Sequence, residues 1–124
     1  MNETEEKSIL IAEDDAILRR MFVIALEASG YRVREAGDGQ EAQELFKAEP
    51  PDILVSDLHM PIMDGLRLVE WVRKELNSKI PILVLTSLGN QEAGQQALTF
   101  GANRVGRKPM QLDELLSEIE LLLT

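Results

Sequence analysis

Ile9-Leu10-Ile11-Ala12-Glu13-Asp14-Asp15 decides how the rest of this 124-residue chain is read. A half-exposed antiparallel strand alternates apolar and polar positions, whereas this run is apolar throughout and then stops on three carboxylates. That pattern suits a parallel strand covered by helices on both faces. Two further runs share it: Ile53-Leu54-Val55-Ser56 ends in Asp57, and Ile80-Pro81-Ile82-Leu83-Val84-Leu85 ends in Thr86-Ser87. Arg32-Val33-Arg34-Glu35-Ala36 and Asn103-Arg104-Val105-Gly106-Arg107 are more polar, as edge strands are.

Helical spacing fills the intervals. Ile17, Leu18, Met21, Phe22, Ala25 and Leu26 fall three and four apart, with Asp15 as N-cap and Gly30 as stop. Ala42, Leu45 and Phe46 mark a second helix before Pro50-Pro51, and Leu66, Val69, Val72 and Leu76 a third. The segment around Ala93, Ala97, Leu98 and Phe100 is a poorer fourth, and Leu112, Leu115, Leu116, Ile119 and Leu122 give an amphipathic last helix. Five β-α units in strict alternation predict an α/β domain over residues 1–124, doubly wound on a parallel sheet, with an acidic, flexible extension over 1–7. Ligands of such sheets lie beyond the carboxyl ends of the strands. Glu13-Asp14-Asp15, Asp57, Thr86-Ser87 and Lys108-Pro109 all fall at that rim.

Composition narrows the function. The chain has no cysteine, which removes disulfides and thiolate chemistry. A formal charge of -9 argues against a nucleic-acid surface, which needs clustered Lys and Arg. No apolar run approaches the roughly 18 to 20 residues of a membrane span. The acidic start lacks the order of a signal peptide, so a cytoplasmic location is expected.

Carboxylates crowded on one rim repel unless a cation or proton sits between them. Magnesium suits an all-oxygen set, because it takes one or two carboxylates and keeps several waters; manganese is the alternative. Lys108 brings a mobile ammonium suited to an anionic group, and the Thr86 hydroxyl can donate to a phosphate oxygen. An Asp flanked by such groups is equipped to attack phosphorus. Taken singly, Asp14, Asp15 and Thr86-Ser87 read as helix caps and Lys108 as a solvated lysine. Their joint placement is what carries the chemistry.

Those four segments, with Asp57-Leu58-His59-Met60-Pro61-Ile62-Met63-Asp64-Gly65, resemble the receiver domain of two-component response regulators from about Ser8 onward. The resemblance implies a flavodoxin-like, three-layer (βα)5 sandwich with sheet order 2-1-3-4-5. It implies that Asp57 accepts a phosphoryl group from a sensor histidine kinase or histidine phosphotransfer protein. Asp14, Asp57 and the His59 backbone carbonyl would then hold magnesium, with Glu13 acting through water, while Thr86 and Lys108 contact the phosphoryl group. Lys108 would precede a cis peptide to Pro109. The output would be an unidentified downstream protein, contacted by a monomer or a phosphorylation-dependent dimer, with no nucleic acid or membrane bound directly. Catalysis would be confined to the chain's own phosphorylation and dephosphorylation.

The chain departs from the family pattern at three places. Val105 stands where a switch aromatic is usual, Met110 where Phe is common, and Gly106-Arg107 where apolar β-branched residues are. All three fall on the family's usual signalling face, so a rotating ring cannot report activation there. His59 and Leu88, two residues after Asp57 and Thr86, are expected to shield an acyl phosphate from water. Competing readings are weaker. A haloacid-dehalogenase-like phosphatase needs a second Asp where His59 stands, and an FMN carrier needs a loop less acidic than Glu13-Asp14-Asp15. A phosphorylation-independent docking module would have no use for the full set of Glu13, Asp14, Asp57, Thr86 and Lys108.

Overall fold

The structure is a computed structural model that describes residues 6–87 and 90–124. The elements are β1 (Ser8–Ala12), α1 (Ala16–Ala28), β2 (Arg32–Ala36), α2 (Gly39–Ala48), β3 (Ile53–Asp57), α3 (Gly65–Glu70), β4 (Ile82–Thr86), α4 (Gln91–Phe100), β5 (Arg104–Arg107) and α5 (Leu112–Leu123). All five strands are parallel, as the alternation predicts, in the order β2-β1-β3-β4-β5 that the resemblance implies.

Side chains of the buried strands alternate between two cores, as a pleated strand requires. Leu10, Leu54, Ile82 and Val84 pack with Phe46, Leu68 and Val72 of the α2–α3–α4 layer. Ile9, Ile11, Val55, Leu83 and Leu85 pack with Phe22, Leu26, Leu115 and Ile119 of the α1–α5 layer. Because helices cover both faces, β1, β3 and β4 have no solvent side, which is why their sequences do not alternate.

Side-chain caps start α1, α2, α3 and α5, while α4 has none. Asp15 Oδ1 accepts from the Ile17 and Leu18 amides at 3.0 and 3.1 Å, as expected of an N-cap. Asp38 and Asp64 cap α2 and α3 in the same way, and Gln111 with Glu114 forms a capping box on α5. Gly30, at φ 98°, occupies the left-handed region just after α1.

Four details differ from the sequence-based reading. Ile17 and Met21 belong to an outward face of α1, 76% and 50% exposed, and Ile24 joins them at 58%. Phe22 and Leu26 of the expected set are buried, and Val23 joins them. β4 begins at Ile82, not Ile80; Pro81 has no N–H for the ladder, although its carbonyl still accepts from Leu54 N at 3.1 Å. The third helix does not run regularly to Leu76. Its last turn, Trp71–Glu75, widens to π geometry, with Leu76 N donating to Trp71 O at 3.2 Å, and Leu76 is exposed. Leu98 and Phe100 of α4 are also partly exposed, at 39% and 37%, leaving Gly94 and Ala97 as its buried positions.

The wide turn aims two side chains inward. Trp71 meets Phe46 edge to face, with ring centroids 5.8 Å apart. Arg73 donates to the carbonyls of Gly101 (3.0 Å), Ser78 (3.0 Å) and Ile80 (2.7 Å) and to Asn103 Oδ1 (2.9 Å). One guanidinium thereby ties the end of the third helix to the loop before β4 and the loop before β5. Arg73→Met keeps the stem packing and strands these acceptors, so a loss of about 2 kcal/mol is expected in urea unfolding. A midpoint equal to wild type would remove the claim.

Candidate functional site

The rim at the carboxyl ends of the strands is built by backbone exits. As β1 ends, Glu13 N donates to Ala36 O at 3.0 Å, which turns the acidic run across the top of the sheet. Glu13 is 2% exposed. Its Oε2 accepts from Asp15 N at 3.1 Å, and its Oε1 lies 2.8 Å from Lys108 Nζ. Asp57, the last residue of β3, is 5% exposed, and its Oδ2 lies 3.0 Å from the same ammonium. Lys108 reaches both carboxylates from the end of β5, where its amide donates to Thr86 O at 2.8 Å and its peptide to Pro109 is cis.

Behind Asp57 the chain makes a tight return. Leu58 N donates to Leu85 O at 2.9 Å, Met63 N to Pro61 O at 2.7 Å and Gly65 N to Leu58 O at 2.8 Å. Ile62 takes a positive φ of 71° at the exposed tip. A Cβ at Gly65 would come 2.3 Å from Asp57 O, and one at Gly39 would come 2.3 Å from Met63 O. Only glycine fits at either contact.

Carboxylate oxygens of Glu13, Asp14 and Asp57 lie within 4.8 Å of one another. Burial pushes the Glu13 carboxyl above its usual range, and the nearby Asp57 adds to the rise, against the opposing pull of Lys108 and the Asp15 amide. Burial alone would lower Lys108, but its bonds to Glu13 and Asp57 outweigh it and raise its pKa. One ammonium against three clustered carboxylates leaves excess negative charge. Together with a donor set made only of oxygen, this fits a hard divalent cation such as magnesium, with Glu13, Asp14 and Asp57 as its candidate side-chain holders.

Thr86 ends β4 beside this group; it is buried, and its Oγ1 has no hydrogen-bond partner among the described residues. His59 sits on the exposed loop after Asp57, its Nε2 against Asn90 Nδ2, just ahead of α4. Leu88 lies outside the described residues. The structure therefore brings Glu13, Asp14, Asp57 and Lys108 into one cluster with Thr86 at its edge. Asn90 and Gly39 were not singled out from sequence: an Asn before a weak helix and a Gly after an Asp carry no local mark of what they touch.

On the neighbouring face, a groove of about 440 Å³ runs between α4 and β5, lined by Thr86, Gly94, Leu98 and Val105 among others. Gly94 lets α4 approach β5, since a Cβ there would meet Val105 Cγ1 at 3.2 Å. The departures at 106 and 110 are coupled. Met110 Cε folds over Gly106, where a Cβ would come within 2.4 Å of it. Met110 packs into the α1–α5 core from that position.

A family model, that of the response regulator receiver domain, matches residues 9–120. The chain belongs to this family. Among curated relatives, the transcriptional regulatory protein PdtaR of Mycobacterium tuberculosis is 38% identical over 118 residues, covering 93% of this chain and 56% of the relative. The phosphate regulon transcriptional regulatory protein PhoB of Pseudomonas aeruginosa is 34% identical over 118 residues, covering 94% and 52%. This receiver domain thus spans about half the length of the curated relatives it matches. Among solved structures, chemotaxis response regulator CheY4 of Vibrio cholerae superposes with a TM-score of 0.89 at 32% identity, covering 96% of this chain and all of that one. Receiver domains of two-component systems partner with histidine kinases or phosphotransfer proteins. No helix among the described residues is long and apolar enough to cross a membrane.

Proposed function

We propose that Asp57 accepts a phosphoryl group from a phosphohistidine donor, and that the acyl phosphate shifts the domain toward a partner-binding state. One observation carries this reading: a nearly buried Asp57 carboxylate lies 3.0 Å from Lys108 Nζ, inside a cluster with Glu13 and Asp14. In the transfer, an Asp57 carboxylate oxygen forms a bond to phosphorus while the bond from phosphorus to the donor imidazole nitrogen breaks. The imidazole leaves with that electron pair and takes up a proton, so the charge that must be met is on the phosphoryl oxygens. Lys108 meets it as a point charge, and the Thr86 hydroxyl, otherwise unpartnered, donates to it. Asp14, Asp57 and the His59 carbonyl, with Glu13 beside them, would hold magnesium or manganese, which would supply further charge neutralisation when bound.

The exposed Ile17, Met21 and Ile24 face of α1 starts directly beyond the acidic run and supports docking of a donor next to Asp57. On the output side, Thr86 and Gly94 of α4 line the same groove, so a shift of Thr86 changes the face that α4 presents without a switch ring. The chain turns over no separate substrate in this reading. Beryllofluoride with magnesium is the test: amide resonances of Asp57, Thr86, Lys108 and α4 should move in wild type and stay put in Asp57→Asn. Unmoved resonances in wild type would contradict the proposal.

His59, held against Asn90, screens the approach to Asp57 from the α4 side. His59→Asn shortens that side chain, and faster loss of the phosphoryl group is expected when the decay of labelled protein is followed. Equal or slower decay would remove the screening role.

A further inference from the structure

We infer that Arg19 is a positioning residue for the acidic loop, holding the Glu13–Asp14 peptide in the orientation that keeps Asp14 beside Asp57. The inference rests on the reading of Glu13, Asp14 and Asp57 as a magnesium site. Arg19, from the first turns of α1, donates through Nη1 to the backbone carbonyl of Glu13 at 2.8 Å. Its Nε donates to Glu35 Oε1 at 2.9 Å, on β2, and Arg20 Nη1 reaches the other Glu35 oxygen at 2.5 Å. The side chain of Arg19 is largely sheltered, unlike that of Arg20. Gly37 leaves it room, since a Cβ there would lie 3.2 Å from Arg19 Nη1.

The geometry matters because a peptide is planar. The Glu13 carbonyl and the Asp14 amide turn together, so fixing the carbonyl fixes the direction in which Asp14 leaves the loop. The Glu13 amide is already held by Ala36 O at 3.0 Å. Arg19 therefore supplies the second constraint that one amide bond cannot. A constraint is needed: the three carboxylates repel, and Asp14 is the exposed member of the set, free to swing away. Glu35 fixes the guanidinium plane and offsets its charge, which makes Arg19 a brace and keeps it from acting as a competing cation at the site. Outer partners of metal ligands act in this way.

Magnesium titration by calorimetry on the whole chain tests the inference. Arg19→Ala is expected to weaken magnesium binding about tenfold, within the range for loss of an outer partner. Arg19→Lys should lose less, because an ammonium can reach one of the two acceptors but lacks the fork that spans both. Glu35→Ala, which leaves Arg19 in place but removes its acceptor on β2, should also weaken binding. Arg34→Ala is the stability control: Arg34 caps the Leu45 and Glu49 carbonyls away from the acidic loop, and its loss should leave magnesium affinity unchanged. Binding by Arg19→Ala equal to wild type would overturn the brace, as would an equal loss in Arg34→Ala. Wild type that binds no magnesium would overturn the site reading itself, a result distinct from either.

Discussion

Asp14→Asn should raise the thermal midpoint of the metal-free protein and lower it, relative to wild type, once magnesium is saturating. The crossing follows from the two roles of the acidic cluster. Without metal, carboxylate oxygens within 4.8 Å of one another repel, with Lys108 as their only close cation among the described residues, so removing one charge relieves the fold. With metal, wild type gains about 2.7 kcal/mol at a ligand concentration 100 times its Kd, and the variant gains much less. Loss of a direct carboxylate ligand should weaken binding by at least about tenfold, since even outer partners cost that much. Melts with and without magnesium check both halves. Parallel curves that never cross would show that Asp14 holds no metal. Acidity gives a companion sign. Glu13 is raised from its usual 4.5, so its contribution favours the metal-free fold below that value and is lost as pH rises through the raised pKa. Magnesium binding should run the other way, weakening on acidification at a pH above the ordinary glutamate range.

Gly65→Ala should be among the most damaging single methyls in the molecule. The added Cβ would come 2.3 Å from Asp57 O and 2.9 Å from Leu58 Cα, both of them backbone atoms that cannot rotate away. Relief requires moving either the first turn of α3 or the end of β3, and β3 is locked between β1 and β4. Overpacking of this kind costs about 1–3 kcal/mol or more, and here it also displaces Asp57, the proposed phosphoacceptor. Urea unfolding should show the loss, and the variant that still folds should bind beryllofluoride more weakly than wild type. Gly101→Ala meets side-chain atoms of Arg73 and a φ of 122°, so its cost should come mainly from backbone strain. A Gly65→Ala variant as stable as wild type would mean that the β3–α3 return is looser than its contacts indicate.

The sheet was legible in the sequence because the three central strands are buried on both faces, and a continuous apolar run ending in Asp or Thr fits little else. The rim residues were legible for the same reason: a strand end is easy to locate, and parallel strands place all their ends together. Helix faces were harder to read. Ile17 and Met21 have the spacing of core residues, yet the face of α1 that turns inward is set by Phe22, Val23 and Leu26. Periodicity alone does not say which of two apolar stripes meets the sheet. The π turn at Trp71–Glu75 was invisible because it accompanies tertiary contacts of Arg73 with Ser78, Ile80, Gly101 and Asn103, which leave no local pattern. At 106 and 110 the reading changes in kind. Gly106 and Met110 read as two separate departures from the family pattern, but each accommodates the other.

Acetyl phosphate with magnesium, followed by borohydride reduction and peptide mapping by mass spectrometry, tests the central claim most directly. The expected result is one acyl phosphate per chain, mapped to Asp57, dependent on magnesium and absent in Asp57→Asn. A chain that binds magnesium yet carries no adduct at Asp57 would contradict it, and would leave the buried Asp57–Lys108 pair as a structural contact of a docking module.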